Sequence, residues 1–191
     1  MAIAELEQEW HVRELLTESE EWDSLREEAV PLYRKALDDF LSETADVATF
    51  RTRIDSLSKS HGWWGFRGTG QMFFNQLAKA ADPADLSTAL RAALPAPTSS
   101  EEAEAKLEAF VAAVDRTRER AAISGAAKPG RGRVNFFVSF FWELVDRDRW
   151  PIFFPNSRNV LEQHGLLDTS QPQPALYTAY RSRIPVSHHG A

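Results

Sequence analysis

Nine of the twelve residues in VNFFVSFFWELV, numbered 134 to 145, are apolar, and five of them are Phe or Trp. A run this aromatic is compatible with a buried strand, but twelve residues suit a helix better. Wound as a helix, it is apolar around most of its circumference and has no broad face to offer to water. It therefore requires other elements on nearly every side and is expected to be the central core helix. Its three polar residues, Asn135, Ser139 and Glu143, fall at i, i+4 and i+8 and form one polar stripe.

The rest of the chain reads as the helical shell that such a segment needs. Leu6, Trp10, Val12 and Leu16 mark one amphipathic segment. Trp22, Leu25, Ala29, Leu32, Ala36, Leu37 and Phe40 mark a second, which Pro31 starts or kinks. Asp46 is placed to cap a helix carrying Val47, Phe50, Ile54 and Leu57 and stopping at Gly62. Thr69 is expected to cap the next, with Met72, Phe73, Leu77 and Ala80. Pro83 opens a short helix with Leu86, Leu90 and Leu94 before the rigid Pro95-Ala96-Pro97 break. Ser99 and Glu102 have the capping-box spacing, followed by the stripe Ala103, Leu107, Phe110, Val111 and Val114. Asn156 or Ser157 is expected to cap a helix through Val160 and Leu161, ended by Gly165. A last helix carries Tyr177 and Tyr180. The expected fold is all-α: an acidic helical extension over 1–45, a compact multi-helix core over 46–166, and a linker, short helix and tail over 167–191.

Charge is uneven along the 191 residues. The net −6 combines a balance of −10 over residues 1–46 with +4 over the remainder. Solvated helix faces account for such asymmetry as readily as an acidic appendage beside a mildly basic body does. There is no cysteine, which excludes disulfides, thiolate metal sites and cysteine nucleophiles and fits a cytoplasmic protein. The first residues lack the basic and apolar regions of a signal peptide. No apolar run approaches the roughly 18 residues of a membrane span, so no membrane partner is expected.

Two glycine-rich basic segments stand out. The first, SHGWWGFRGTGQ over 60–71, mixes Trp63, Trp64, Phe66 and Arg67 with four glycines. Backbone N–H groups and a following helix dipole there suit an anion, and the aromatic rings suit stacking on a base. It is neither a P-loop nor a Rossmann fingerprint. The second, GAAKPGRGR over 125–133, offers Lys128, Arg131 and Arg133 to phosphates as a flexible loop. If the helices that follow the two segments pack side by side, the segments share one end of the domain. The alternatives are a tight turn whose aromatics plug the core, and an ordinary solvated loop. Arg147, Arg149 and Arg158 flank WPIFFP over 150–155, where Trp150 and Arg149 suit a cation–π contact; an apolar crossover lidding the core is the favoured reading there.

Enzyme signatures are sparse. The five histidines show no metal-ligand spacing, and no cofactor is expected. No G-x-S-x-G, H-E-x-x-H or kinase motif occurs. Glu104-Ala105-Lys106 lacks the strands of a nuclease core. The Asn135, Ser139 and Glu143 stripe is the one constellation with catalytic chemistry, since a buried glutamate can serve as acid or base.

The pair WWGFRGTGQMFFN over 63–75 and PGRGRVNFFVSFFW over 129–142, continuing through RWPIFFPNSR over 149–158, resembles the helical N-terminal regions of McrB-type AAA+ ATPases of bacterial restriction and phage defence. The similarity covers residues 46–166. It implies a targeting module that recognises DNA or a partner and passes it to a motor and nuclease. The chain carries no Walker A, Walker B or nuclease core of its own. The expectation is a non-enzymatic nucleic-acid-binding module using Trp63, Trp64, Phe66, Arg67, Lys128, Arg131, Arg133 and Arg158, with DNA, modified or not, as partner. The alternative is a protein-interaction module recruiting an AAA+ ATPase or nuclease subunit. The third reading is a small enzyme built on Glu143.

Overall fold

The computed structural model describes residues 24–61 and 66–184, and the two aromatic residues Trp63 and Trp64, with the segment carrying Leu6 to Trp22, lie outside the described residues. Helix α1 runs over residues 24–41. It is followed by α2 (Val47–Ser60), α3 (Phe66–Ala80), α4 (Pro83–Ala93) and the long α5 (Ser100–Ser124). After these come a 3-10 turn (Arg131–Arg133), α6 (Val134–Val145), α7 (Pro155–Gln163) and α8 (Gln173–Arg181). Among the described residues there is no strand, and no helix is long and apolar enough to cross a membrane.

The capping chemistry sets most helix starts. The Asp46 carboxylate accepts from Thr49 N–H at 2.7 Å, and Asp82 accepts from Ala84 and Asp85 N–H ahead of Pro83. Each such cap stabilises by about 1 kcal/mol. Ser99 accepts from Glu102 N–H, and Glu102 reaches back past the cap to Thr98 N–H and hydroxyl at 2.7 and 2.6 Å. These bonds lower the Glu102 carboxyl to about 2. Gly125 closes α5 at φ +72°, and Gly165 follows α7 at φ +66°, a left-handed conformation that costs a glycine little.

Two expected caps are not used. Helix α3 begins at Phe66, three residues before Thr69, so Thr69 sits inside the helix. Helix α7 begins at Pro155, whose fixed φ favours the first helical position, and neither Asn156 nor Ser157 caps it.

Helix α6 is buried from Val134 through Leu144, as an all-round apolar helix must be. Rings from its neighbours close around it. Phe137 meets Phe73 and Phe74 of α3 edge-on at 5.2 and 5.4 Å and stacks with Phe110 of α5 at 6.1 Å. Trp142 packs against Trp150 and Tyr177, and its indole N–H donates to Ala93 O at 2.9 Å. Each fully buried ring of this kind contributes about 1.5–3 kcal/mol.

The core extends at both ends beyond residues 46–166. On α1, Ala29, Tyr33, Ala36, Leu37 and Phe40 are buried in it, while Leu25 and Leu32 face outward. Helix α8 packs along α5 and sinks Leu176, Tyr177 and Tyr180 into the same core. The two tyrosine hydroxyls donate to Pro151 O and Ile152 O and hold residues 151–154 down as a strap. Trp150 is buried beneath the Arg181 guanidinium at 4.3 Å, with Arg149 at 5.4 Å, so this crossover lids the core.

Candidate nucleic-acid interface

Helix α3 positions the first basic segment. A 3.6-residue period puts Arg67, Gln71, Asn75 and Lys79 on one face, one turn above another. Phe66 points the other way. It is 1% exposed and lies against Phe136, Phe137, Phe140 and Phe141 of α6, with the nearest centroid at 4.3 Å. Stacking of Phe66 on a base is therefore corrected: the ring is a core plug and could reach a ligand only by leaving the core. Gly70 makes this packing possible. A Cβ at position 70 would fall within 2.8 Å of three atoms of the Phe66 ring one turn away. The glycine there is a packing notch inside a helix rather than loop flexibility. At Gly68 a Cβ would meet nothing within 4 Å.

The second basic segment is pinned, not loose. Arg118 Nη1 donates to Pro129 O at 2.6 Å, Ala126 N–H to Ala121 O, and Arg133 N–H to Gly130 O. Pro129 is buried. The 3-10 turn that follows packs against α3, α5 and α6, so it brings the second segment to the N-terminal end of α6 beside α3.

A groove of about 440 Å³ is lined by Arg67, Gln71, Asn75 and Lys79 of α3, by Asp55 of α2 and, from the second segment, by Ala127; Lys128, Arg131 and Arg133 are not among its lining residues. Arg51 Nη1 and Gln71 Nε2 both donate to Asn75 Oδ1, at 3.4 and 3.3 Å, which fixes the amides along its floor. Gln71 is 3% exposed, and its Oε1 has no hydrogen-bond partner among the described residues. Neither amide stands out in the sequence, where helical spacing from Arg67 is the signal that finds them.

Arg67 in the groove and Lys128, next in sequence to the lining residue Ala127, are exposed, and neither forms an ion pair among the described residues. Arg131 is exposed with a loose contact to Asp115 at 3.5 Å. Arg133 is half-buried, and its Nη1 lacks a partner among the described residues. Arg158 belongs elsewhere. It sits on α7, bonded through two nitrogens to Asn159 Oδ1, and does not line the groove.

The polar stripe of α6 resolves into three fates. Asn135 Nδ2 donates to Gln173 O at 2.7 Å, and Ser139 Oγ accepts from Phe153 N–H at 2.9 Å. Both tie the core helix to later segments. Glu143, 7% exposed, takes Arg26 Nη2 on Oε1 at 2.5 Å with Arg147 Nε at 3.8 Å, while its Oε2 is buried with no hydrogen-bond partner among the described residues. Burial raises the Glu143 carboxyl above the ordinary range and outweighs the opposing pull of Arg26 and Arg147. Among the described residues no three His, Asp or Glu side chains gather in a metal-binding group.

No family model, curated protein or solved structure matches this chain.

Proposed function

We propose that this chain is a nucleic-acid-binding module that grips phosphates along the face made by α3 and residues 126–133. The observation that carries the reading is the meeting, at one end of α6, of two basic segments about sixty residues apart, with Arg67 and Lys128 exposed and free of ion pairs among the described residues. Guanidinium and ammonium groups on a helix face and an adjacent pinned turn suit a backbone of regularly spaced anions. The half-buried amide of Asn75 suits the edge of a base better than a phosphate, while Gln71 is buried and holds Asn75 in place. The resemblance to McrB-type regions supports the narrower reading, a DNA-targeting module of a defence system that delivers its target to an AAA+ motor or nuclease and performs no catalysis itself.

The test is fluorescence anisotropy with single-stranded, duplex and methylated duplex DNA at several salt concentrations. It compares the full chain with the Arg67→Ala/Lys128→Ala/Arg131→Ala variant. These side chains are exposed, so the fold is retained. Binding should weaken with salt, and the slope of log K against log salt should flatten by about 0.7–0.9 for each phosphate that the variant no longer neutralises. Absence of binding at low salt, or an unchanged slope in the variant, overturns the reading.

A further inference from the structure

The way the Asn75 amide is tied down decides which base edge it can meet. An asparagine that offers both its oxygen and its nitrogen pairs with adenine, whose N6 amino donates and whose N7 accepts. Asn75 cannot do this. Arg51 Nη1 reaches its Oδ1 from α2 at 3.4 Å, and Gln71 Nε2 reaches the same oxygen from one turn earlier on α3 at 3.3 Å. A guanidinium only donates, so the amide oxygen must face Arg51 and the orientation of the group is fixed. A carbonyl oxygen has two lone pairs, and both are taken. The nitrogen is left over: Asn75 Nδ2 has no hydrogen-bond partner among the described residues and is not an enclosed atom. Asn75 lines the groove of about 440 Å³, and it presents a donor there without an acceptor.

The rest of the lining agrees. Arg67 and Lys79 only donate, both are exposed, and neither forms an ion pair among the described residues. Gln76 also lines the groove, but its Oε1 is enclosed and adds no acceptor. The charged acceptor is Asp55, whose Oδ2 takes Lys59 Nζ at 2.5 Å and whose Oδ1 has no hydrogen bond among the described residues. A carboxylate repels phosphate, so the groove suits base edges better than the strand backbone.

We propose that this groove prefers guanine, with Asn75 as the specificity-determining residue whose Nδ2 donates to the adjacent acceptors O6 and N7. Adenine fits poorly because its N6 amino meets a second donor, and thymine offers only the single acceptor O4. In a G·C pair the cytosine N4 amino lies beside guanine O6, and Asp55 Oδ1 is the acceptor for it. Lys128 and Arg131, outside the groove, hold phosphates and position the strand without reading it. The inference rests on the nucleic-acid reading and adds to it the base edge that the groove selects.

The test is competition anisotropy with the full chain. The competitors are duplexes of one length and fixed flanks, with central pairs of G·C, A·T, inosine·C or diaminopurine·T. Inosine keeps guanine O6 and N7 but lacks the minor-groove amino group, and diaminopurine adds that amino group to adenine. G·C and inosine·C should bind alike, about tenfold more tightly than A·T and diaminopurine·T. Asn75→Ala should bring that ratio close to one while the salt slope stays, because no phosphate contact is lost. Arg51→Met releases one lone pair of Asn75 Oδ1 and should strengthen binding to A·T, a gain that a misfolded variant cannot produce. Single strands carrying guanine or adenine are run in parallel. A guanine preference in either form supports the proposal and identifies the form that presents this edge. Salt-dependent binding with equal affinity for every base, inosine grouping with A·T, or a cooperatively melting Arg51→Met chain with an unchanged guanine ratio each overturns the proposal and leaves the nucleic-acid reading standing. No binding of any DNA at low salt overturns both.

Discussion

The two ends of α6 use charge in opposite ways. At the N-terminal end the cations stand in water: Arg67 and Lys128 are exposed, and Arg131 touches Asp115 only loosely. At the C-terminal end charge is enclosed, with Glu143 buried between Arg26 and Arg147. Exposed charges act through the ionic atmosphere and respond to salt, whereas buried ones pay in desolvation and respond to pH. The same helix thus offers two experimental handles that need not interfere.

The largest expected effect breaks the comparison at its basic end. The Arg67→Ala/Lys128→Ala/Arg131→Ala variant should lose DNA affinity by ~100-fold at low salt, while Glu143→Gln leaves the salt slope unchanged, both read by anisotropy. Next comes packing between α3 and α6. Gly70→Ala forces a Cβ into the Phe66 ring and should destabilise by about 1–3 kcal/mol in urea denaturation. Ser139→Ala removes the acceptor for buried Phe153 N–H and should cost about 1–3 kcal/mol. At the C-terminal end of α6 the sign follows from the raised carboxyl. The folded state holds the Glu143 proton more tightly than the unfolded state does. Its contribution is therefore full below the ordinary glutamate range and is lost as pH rises through the folded-state value. Glu143→Gln should gain melting temperature relative to the unaltered chain as pH rises from 4 to 8; a constant difference across that range would refute the assignment. The smallest effect is Gly68→Ala, where a Cβ meets open space, with an expected gain of about 0.5 kcal/mol from helix propensity.

Much of the fold is legible in the sequence because it depends on local chemistry. The bounds of α6 match the apolar run to the residue, the caps at Asp46 and Ser99 lie where short polar side chains precede periodic apolar ones, and α4 opens at Pro83. The face of α1 is harder to read. Its acidic surroundings suggest an appendage, but the buried stripe runs through Ala29, Tyr33, Ala36, Leu37 and Phe40, and Leu25 and Leu32 fall off it. The site is legible only in part. Helical spacing places Arg67 on a surface groove, but nothing local tells that Gly70 is a notch for Phe66. The Arg26–Glu143 pair joins residues 117 apart, and Arg181 covers Trp150 from another helix, so both depend on tertiary packing that no local pattern encodes.

The way α6 is tied into the molecule bears on its birth at the ribosome. Its polar groups are completed by Arg26 upstream and by Phe153 and Gln173 downstream, so the sealing bonds arrive only when the last helices have been made. Until then the most apolar segment of the nascent chain has its upstream neighbours but lacks the side that Trp150 and Tyr177 close. Transcripts cut short near residue 166 would leave a polypeptide prone to clump or be degraded. Expression of this protein in pieces should fail, and the whole chain should emerge folded in a single cooperative step.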